Sequence, residues 1–443
     1  MLKLGTLCAE NLGGHADRRD PETNLRTKTC YRTYRNRGWC VLEMMCSLHS
    51  REKAQPALLI TSAEGTPEWV SPLEALKLAV GLCDFTCCQR NHKFGNKIVP
   101  CDRGITRDIL ERLIASKVKH LFKIENIKLA RTVHCMTQWW TRGPTTSSGV
   151  ASCDSLTDLK RQLMWDKSID GQDDTMPWID RAGISILAYA VAANTINVVR
   201  EILKTYESTT SHLLAWRFPG EGVVGVGIPG HSTCLYGAMC FASTGVVEAL
   251  LEAGADVKSV DIMGNDVLAA ACGMGRLDNV KMWLTKFKNW NINRSNTRFG
   301  ATSLSLAVYM GPRKLELIKY LIEQANANVN FRTHSGSSIL ILAADNEDAD
   351  PNVIKYLLEN HRINVNSKII TSSLRWKMIR TVSHLLVRTH TTRSRLIASV
   401  AEDGGMTPLH YAVKRGDMEV MELLLAHGAK PSIKNDLGRD VLS

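Results

Sequence analysis

The sequence predicts a mainly α protein: a solenoid of stacked helix–turn–helix units over residues 183–443, preceded by a partial α/β domain. Three observations carry this expectation. A leucine followed three residues later by an alanine recurs along the C-terminal half. Each such pair leads, across a short turn, into a second apolar stripe at helical spacing. Several copies then close on a short tail of the Asn-Val-Asn kind.

The clearest copy runs from Gly405 to Ala429. Thr407 suits a helix cap, and Pro408 suits the first helical turn, where its missing N–H costs nothing. Leu409 and Ala412 share one buried face. Gly416 permits the tight turn into a second helix, whose stripe is Val420, Leu423 and Leu424. Gly428 ends that helix as a C-cap would.

The same pattern returns upstream at Leu187, Leu235, Leu268, Leu304 and Leu340, paired with Ala190, Ala238, Ala271, Ala307 and Ala343. Second-helix stripes recur at 198–203, 246–251, 317–322 and 353–358. The leucine spacings are 48, 33, 36, 36 and 69. Thirty-three is the period of one known repeat class, and 36 is that period with small loop additions. The tails at Ala255, Asn291, Asn328 and Asn364 fit a segment entering a hairpin. On these residues, 183–443 is identified as similar to the ankyrin-repeat family. The Thr-Pro-Leu-His motif is intact at Thr407, Pro408, Leu409 and His410. Elsewhere Ala188, Tyr236, Ala269, Ser305 and Ile341 stand where the histidine would be. The resemblance implies that His410 is structural and ties the helix start to neighbouring loops. It also implies protein binding as the function, with hairpin tips near 261–263, 296–299, 333–335 and 435–437.

Two spacings are long. The Gly- and Pro-rich stretch 218–230 reads as an inserted loop. Residues 367–400 carry seven Lys/Arg and no acid, and read as an inserted basic amphipathic helix with Leu374, Ile379, Val382 and Leu386 as its apolar positions. Such a helix packs on the solenoid, or meets a calmodulin-like partner or an anionic lipid surface. The chain stops at the opening of a further repeat, as an incomplete solenoid end or a fragment would.

Residues 1–30 are polar and expected to be disordered or incomplete. Residues 31–143 show a helix at 37–48, a short strand at 56–61, and helices starting at Ser71 and Thr106. Helix–strand–helix order suggests part of an α/β domain. Residues 144–182, rich in Ser, Thr, Gly and Asp, are expected to be a linker. Trp39, Cys40 and Glu43 resemble a motif of Toll/interleukin-receptor-like domains. That resemblance implies a signalling role or NAD hydrolysis, with Glu43 as the catalytic residue; the other reading is a solvated charge on a packed helix. We assign no catalytic residue from the residues themselves. Cys83, Cys87, Cys88, His92 and Cys101 fall within nineteen positions. Thiolate and imidazole can hold zinc tetrahedrally, whereas free thiols around a loop need no metal. We expect the latter, with no cofactor.

The net charge of +11 is uneven: residues 1–150 carry +9, and the repeats without the basic insert about −5. This does not make one nucleic-acid face. Scattered cysteines and the lack of a long apolar stretch point to a cytoplasmic protein. By position in the repeat, Met274, Tyr309, Met310, Asp345, Lys414 and Arg415 are expected on the concave side that grips a protein partner.

Overall fold

The computed structural model describes residues 34–50, 57–59, 68–70, 75, 78–143, 153–220, 222–223, 228–311, 314–361, 363–371, 373–389, 391 and 400–441. The expected disorder at 1–30 and most of the helix expected after Ser71 lie outside them.

In the C-terminal half each unit is a pair of helices. The first helices are α7 (Ile186–Ala192), α10 (Cys234–Phe241), α12 (Val267–Gly273), α14 (Ser303–Tyr309), α16 (Ile339–Asp345) and α19 (Pro408–Lys414). Their partners are α8 (Ile196–Thr205), α11 (Thr244–Glu252), α13 (Leu277–Lys286), α15 (Leu315–Glu323), α17 (Pro351–His361) and α20 (Met418–Ala426). A short helix, α9 (Thr210–Ala215), and a small hairpin, β5 (Gly222–Val223) with β6 (Ile228–Pro229), fill the long loop between the first two units. Successive first helices pack on one another, and α16 meets α19 directly across the insert.

The motif residues explain this stacking. The six leucines and six alanines of the repeated pair are all buried. Burying each leucine contributes roughly 1.5–3 kcal/mol. Alanine leaves room for the neighbouring helix to approach. The start of each first helix is capped by a short side chain. Ser185, Thr233, Asp266, Thr302 and Ser338 accept from the backbone N–H of Leu187, Tyr236, Ala269, Ser305 and Ile341, satisfying donors the helix cannot. Units without the histidine therefore still have a defined entry.

The hairpin tips form where the tails predict them. Asp261 Oδ1 accepts from the N–H of Met263 and Asn265 at 2.8 and 2.9 Å. Asn296 Oδ1 accepts from Phe299 N–H, and Asn435 Oδ1 from Leu437 and Arg439 N–H. Adjacent tips are joined by backbone bonds, such as His334 N–H to Phe299 O at 2.8 Å and Asp436 N–H to Gly404 O at 2.9 Å. Gly336 sits at φ +96°, and a Cβ there would lie 2.3 Å from Ile370 O. Only glycine admits that approach.

The described N-terminal residues are mainly helical: α1 (Gly38–Leu48), α2 (Thr86–Gln89), α3 (Asp102–Lys123), α4 (Ile127–Cys135) and α5 (Thr137–Thr141). The strands are two short antiparallel hairpins, β1 (Ala57–Leu59) with β2 (Glu68–Val70) and β3 (Lys93–Phe94) with β4 (Lys97–Ile98). The α/β character is thus small and partial.

Residues 153–182, expected as linker, carry α6 (Leu156–Gln162) and bury Leu159, Leu163 and Trp178. Their polar residues serve a buried network. The Arg131 guanidinium donates to Asp170 Oδ2 and Asp180 Oδ2, each at 2.7 Å, and to the carbonyls of Leu163 and Met164. Tyr189 of the first repeat donates to the same Asp180 at 2.8 Å. Helix α4 packs against α7. The N-terminal helices therefore cover the outer end of the solenoid, a surface that needs a cap.

Candidate protein-interaction face

Tyr309, Asp345 and Lys414 are the last residues of α14, α16 and α19, and Arg415 follows immediately. Stacking of these helices brings residues from three units onto one strip. Arg415 donates to Asp345 Oδ1 at 3.2 Å across 70 positions. Lys414 Nζ lies 3.9 Å from Glu402 Oε2. Tyr309 keeps 45% of its surface exposed and lies within electrostatic reach of buried Tyr411. Burial pushes the Asp345 carboxyl up, and the Arg415 guanidinium opposes that rise. Sequence reasoning missed Glu402 and Asp403, whose carboxylates border this strip; they lie between the insert and the last repeat, where no motif marks them.

Met274 and Met310 do not join that strip. They line a cleft of about 170 Å³ together with Leu82, Trp139 and Arg142 of the N-terminal half. Trp139 packs edge-on to Phe241 with ring centroids 5.1 Å apart, and the Arg142 guanidinium stacks over Trp139. The N-terminal helices dock where an open concave side was expected. Of the six predicted positions, the structure gathers four and places two at this internal junction.

The intact motif is a structural device. Thr407 N–H donates to His410 Nδ1 at 3.2 Å, and His410 Nε2 lies 3.5 Å from the Arg439 carbonyl. Pro408 and Leu409 are buried in the first turn.

Glu43 lies on the exposed side of α1 and accepts a hydrogen bond from Tyr34 Oη at 2.9 Å. The described strands of this region form only antiparallel hairpins. Neither observation supports the Toll/interleukin-receptor-like resemblance.

Of the five candidate metal ligands, three converge and two stand apart from them. Cys83 points away, its thiol 3.3 Å from Ala79 O. Cys87, Cys88 and Cys101 converge, with sulfurs 4.0 and 3.6 Å apart in sequence order. Burial and the Cys101 thiol push the Cys88 thiol up to about 11. His92 sits in the turn between α2 and β3.

The insert forms α18 (Leu374–Arg388). Trp376 meets Phe299 with centroids 5.9 Å apart, and Arg380 contacts Thr371 and the Ser335 carbonyl. This anchoring turns Leu374, Ile379 and Val382 outward, with Met378 and Leu385, while Leu386 is half-buried. The helix is thus held to the solenoid through Trp376 and Arg380, while three of its four expected apolar positions face solvent. Beside them a cleft of about 860 Å³ is lined by Lys368, Lys377, Arg380 and Arg388.

The family comparisons agree with this geometry. A model described as ankyrin repeats in three copies matches residues 267–369, and a single ankyrin repeat matches 404–436. An ankyrin repeat protein of Acanthamoeba polyphaga mimivirus is 44% identical over 45 residues, which is 10% of this chain. The chain spans only 11% of that relative's length. The crystal structure of the human ASB11 ankyrin repeat domain aligns at 20% identity over 58% of this chain and 90% of its own, with a TM-score of 0.38. No helix among the described residues is long and apolar enough to cross a membrane. The chain carries ankyrin repeats over residues 267–369 and 404–436, and these are modules of protein–protein interaction.

Proposed function

We propose that this chain is a cytoplasmic scaffold that holds a protein partner on the strip formed by Tyr309, Asp345, Lys414 and Arg415. One observation carries the reading. An aromatic side chain exposed over nearly half its surface and an Asp–Arg ion pair stand at the C-terminal ends of three stacked first helices. Rigid aromatic and charged groups on a preformed surface are what interface centres use. The described cysteines are all free thiols, as in a reducing compartment. The test is affinity capture with the parent chain and with a Tyr309→Ala, Lys414→Glu double variant, with matched circular dichroism spectra. The proposal expects one or more partners to be lost from the variant. An unchanged partner set on a folded variant would remove it.

The outward apolar stripe of α18 supports a second contact, with an anionic lipid surface. Leu374, Met378, Val382 and Leu385 would enter the interface while Lys377 and Arg388 meet headgroups. Flotation with phosphatidylserine vesicles should retain the parent chain and release a Leu374→Ser, Val382→Ser, Leu385→Ser variant. Equal flotation on neutral phosphatidylcholine would count against a charge-led contact.

A further inference from the structure

The region between α2 and α3 has chemistry that protein binding by the repeats does not use. Cys87 and Cys88 lie on the single turn of α2, and Cys101 stands at the N-cap of the 22-residue helix α3. The ligand atoms of all three lie within 4.8 Å of one another. Zinc–thiolate bonds of roughly 2.3 Å in a tetrahedron put sulfurs about 3.8 Å apart. The Cys87–Cys88 and Cys88–Cys101 separations of 4.0 and 3.6 Å bracket that edge.

Three further features lie around the cluster. Asp102 N–H, at the start of α3, donates to Cys87 Sγ at 3.4 Å, so a backbone donor and the positive end of a long helix face the sulfurs. Arg103 reaches the same loop through the Cys83 carbonyl and adds positive potential at Cys88. Asn91 and His92 both occupy the left-handed region, at φ 49° and 60°. Such strain in two successive non-glycine residues points to a constraint beyond packing. It folds the turn so that His92 N–H donates to Cys87 O at 2.6 Å. The Nδ1 atom of His92 is enclosed without a hydrogen-bond partner among the described residues.

We propose that Cys87, Cys88 and Cys101 bind one zinc ion as thiolates, with the His92 imidazole, whose nitrogens lie outside the three-sulfur group, turning in as the fourth ligand. On binding, each thiol releases its proton to solvent and the imidazole coordinates as the neutral base. With that fourth ligand the site is closed and leaves no position for a substrate, so its role is structural. It clamps the β3–β4 hairpin to the start of α3, the helix on which α1 packs. Soft thiolates select zinc over magnesium or calcium.

The experiment uses the full chain, reduced with a phosphine and stripped with a chelator, then titrated with Co(II) and afterwards Zn(II). One equivalent of Co(II) should give thiolate charge-transfer absorption and the visible bands of a tetrahedral ion, both bleached by zinc. Cys88→Ser and Cys101→Ser should abolish these bands, His92→Ala should lose the tetrahedral signature, and Cys46→Ser should change nothing. Alkylation mapped by mass spectrometry gives a second reading on the parent chain, independent of whether the variants fold. Zinc should protect Cys87, Cys88 and Cys101 and leave Cys46 reactive. Lack of uptake by the reduced parent would overturn the site. So would bands that survive Cys101→Ser, or a Cys88–Cys101 disulfide in place of protection. Unchanged binding by His92→Ala would overturn the fourth ligand.

Discussion

Arg35 and Asp348, 313 positions apart, form a buried bidentate pair: Nε donates to Oδ1 at 2.6 Å and an η-nitrogen to Oδ2 at 2.9 Å. Both side chains are almost fully enclosed, and Glu347 adds a second carboxylate 3.5 Å away. The pair joins the segment leading into α1 to the loop between α16 and α17. Asp348→Ala should therefore destabilise the chain by roughly 3–5 kcal/mol, because it removes the bidentate partner of a desolvated guanidinium. Arg35→Met with Asp348→Leu should recover much of that loss. Urea unfolding of the single and double variants measures both. A single variant within 0.5 kcal/mol or so of the parent would mean that the two halves are not coupled through this pair.

His49 gives the fold an acid limit. Its ring is buried edge-on to Trp140 at 4.7 Å, and Nε2 has no hydrogen-bond partner among the described residues. Burial, with Lys117 adding to it, pulls the imidazole from 6.5 down to about 3. The folded state thus disfavours the proton that the unfolded chain takes up. Stability from this site is complete above pH 6.5 and is lost as pH falls toward 3. His49→Phe should flatten the decline of the thermal midpoint across that window. The same slope in variant and parent would assign the acid sensitivity to other groups.

The last repeat offers a graded pair of substitutions. Leu409→Ala should cost roughly 2–5 kcal/mol through the cavity it leaves. His410→Ala removes the partner of Thr407 N–H and the reach to the Arg439 carbonyl, and should cost about 0.5–2 kcal/mol, as other cap losses do. Denaturant midpoints at constant slope give both values. A larger loss at His410 than at Leu409 would reverse the assignment of which residue is core.

The solenoid was legible because its signal is repeated. The Leu-x-x-Ala spacing, the second-helix stripes and the tails that follow them each recur, so one degenerate copy is rescued by its neighbours. The N-terminal half has no such redundancy. The ion-pair network of Arg131 with Asp170 and Asp180 reads as polar linker composition, since nothing local shows that a distant arginine neutralises two carboxylates. The same blindness grouped Met274 and Met310 with the strip that holds Tyr309. Position within a repeat gives the face of a helix, but not whether another part of the chain already covers it. For α18 the apolar periodicity was visible, yet its direction depends on Trp376 and Arg380 finding Phe299 and Ser335.

Glu43 is exposed, accepts a hydrogen bond from the Tyr34 hydroxyl and lies near the Cys46 thiol. Purified chain incubated with NAD should show no consumption above buffer. Turnover abolished by Glu43→Ala would establish an enzyme here.

The account rests most on the strip across α14, α16 and α19 as the partner surface. Hydrogen–deuterium exchange on the captured complex and the free chain tests it residue by residue. Binding should slow exchange in peptides covering 306–311, 342–347 and 411–416, and leave the outer helices α13 and α15 unchanged. Protection confined to α18, or to the N-terminal helices, with those three peptides unaffected, would contradict it.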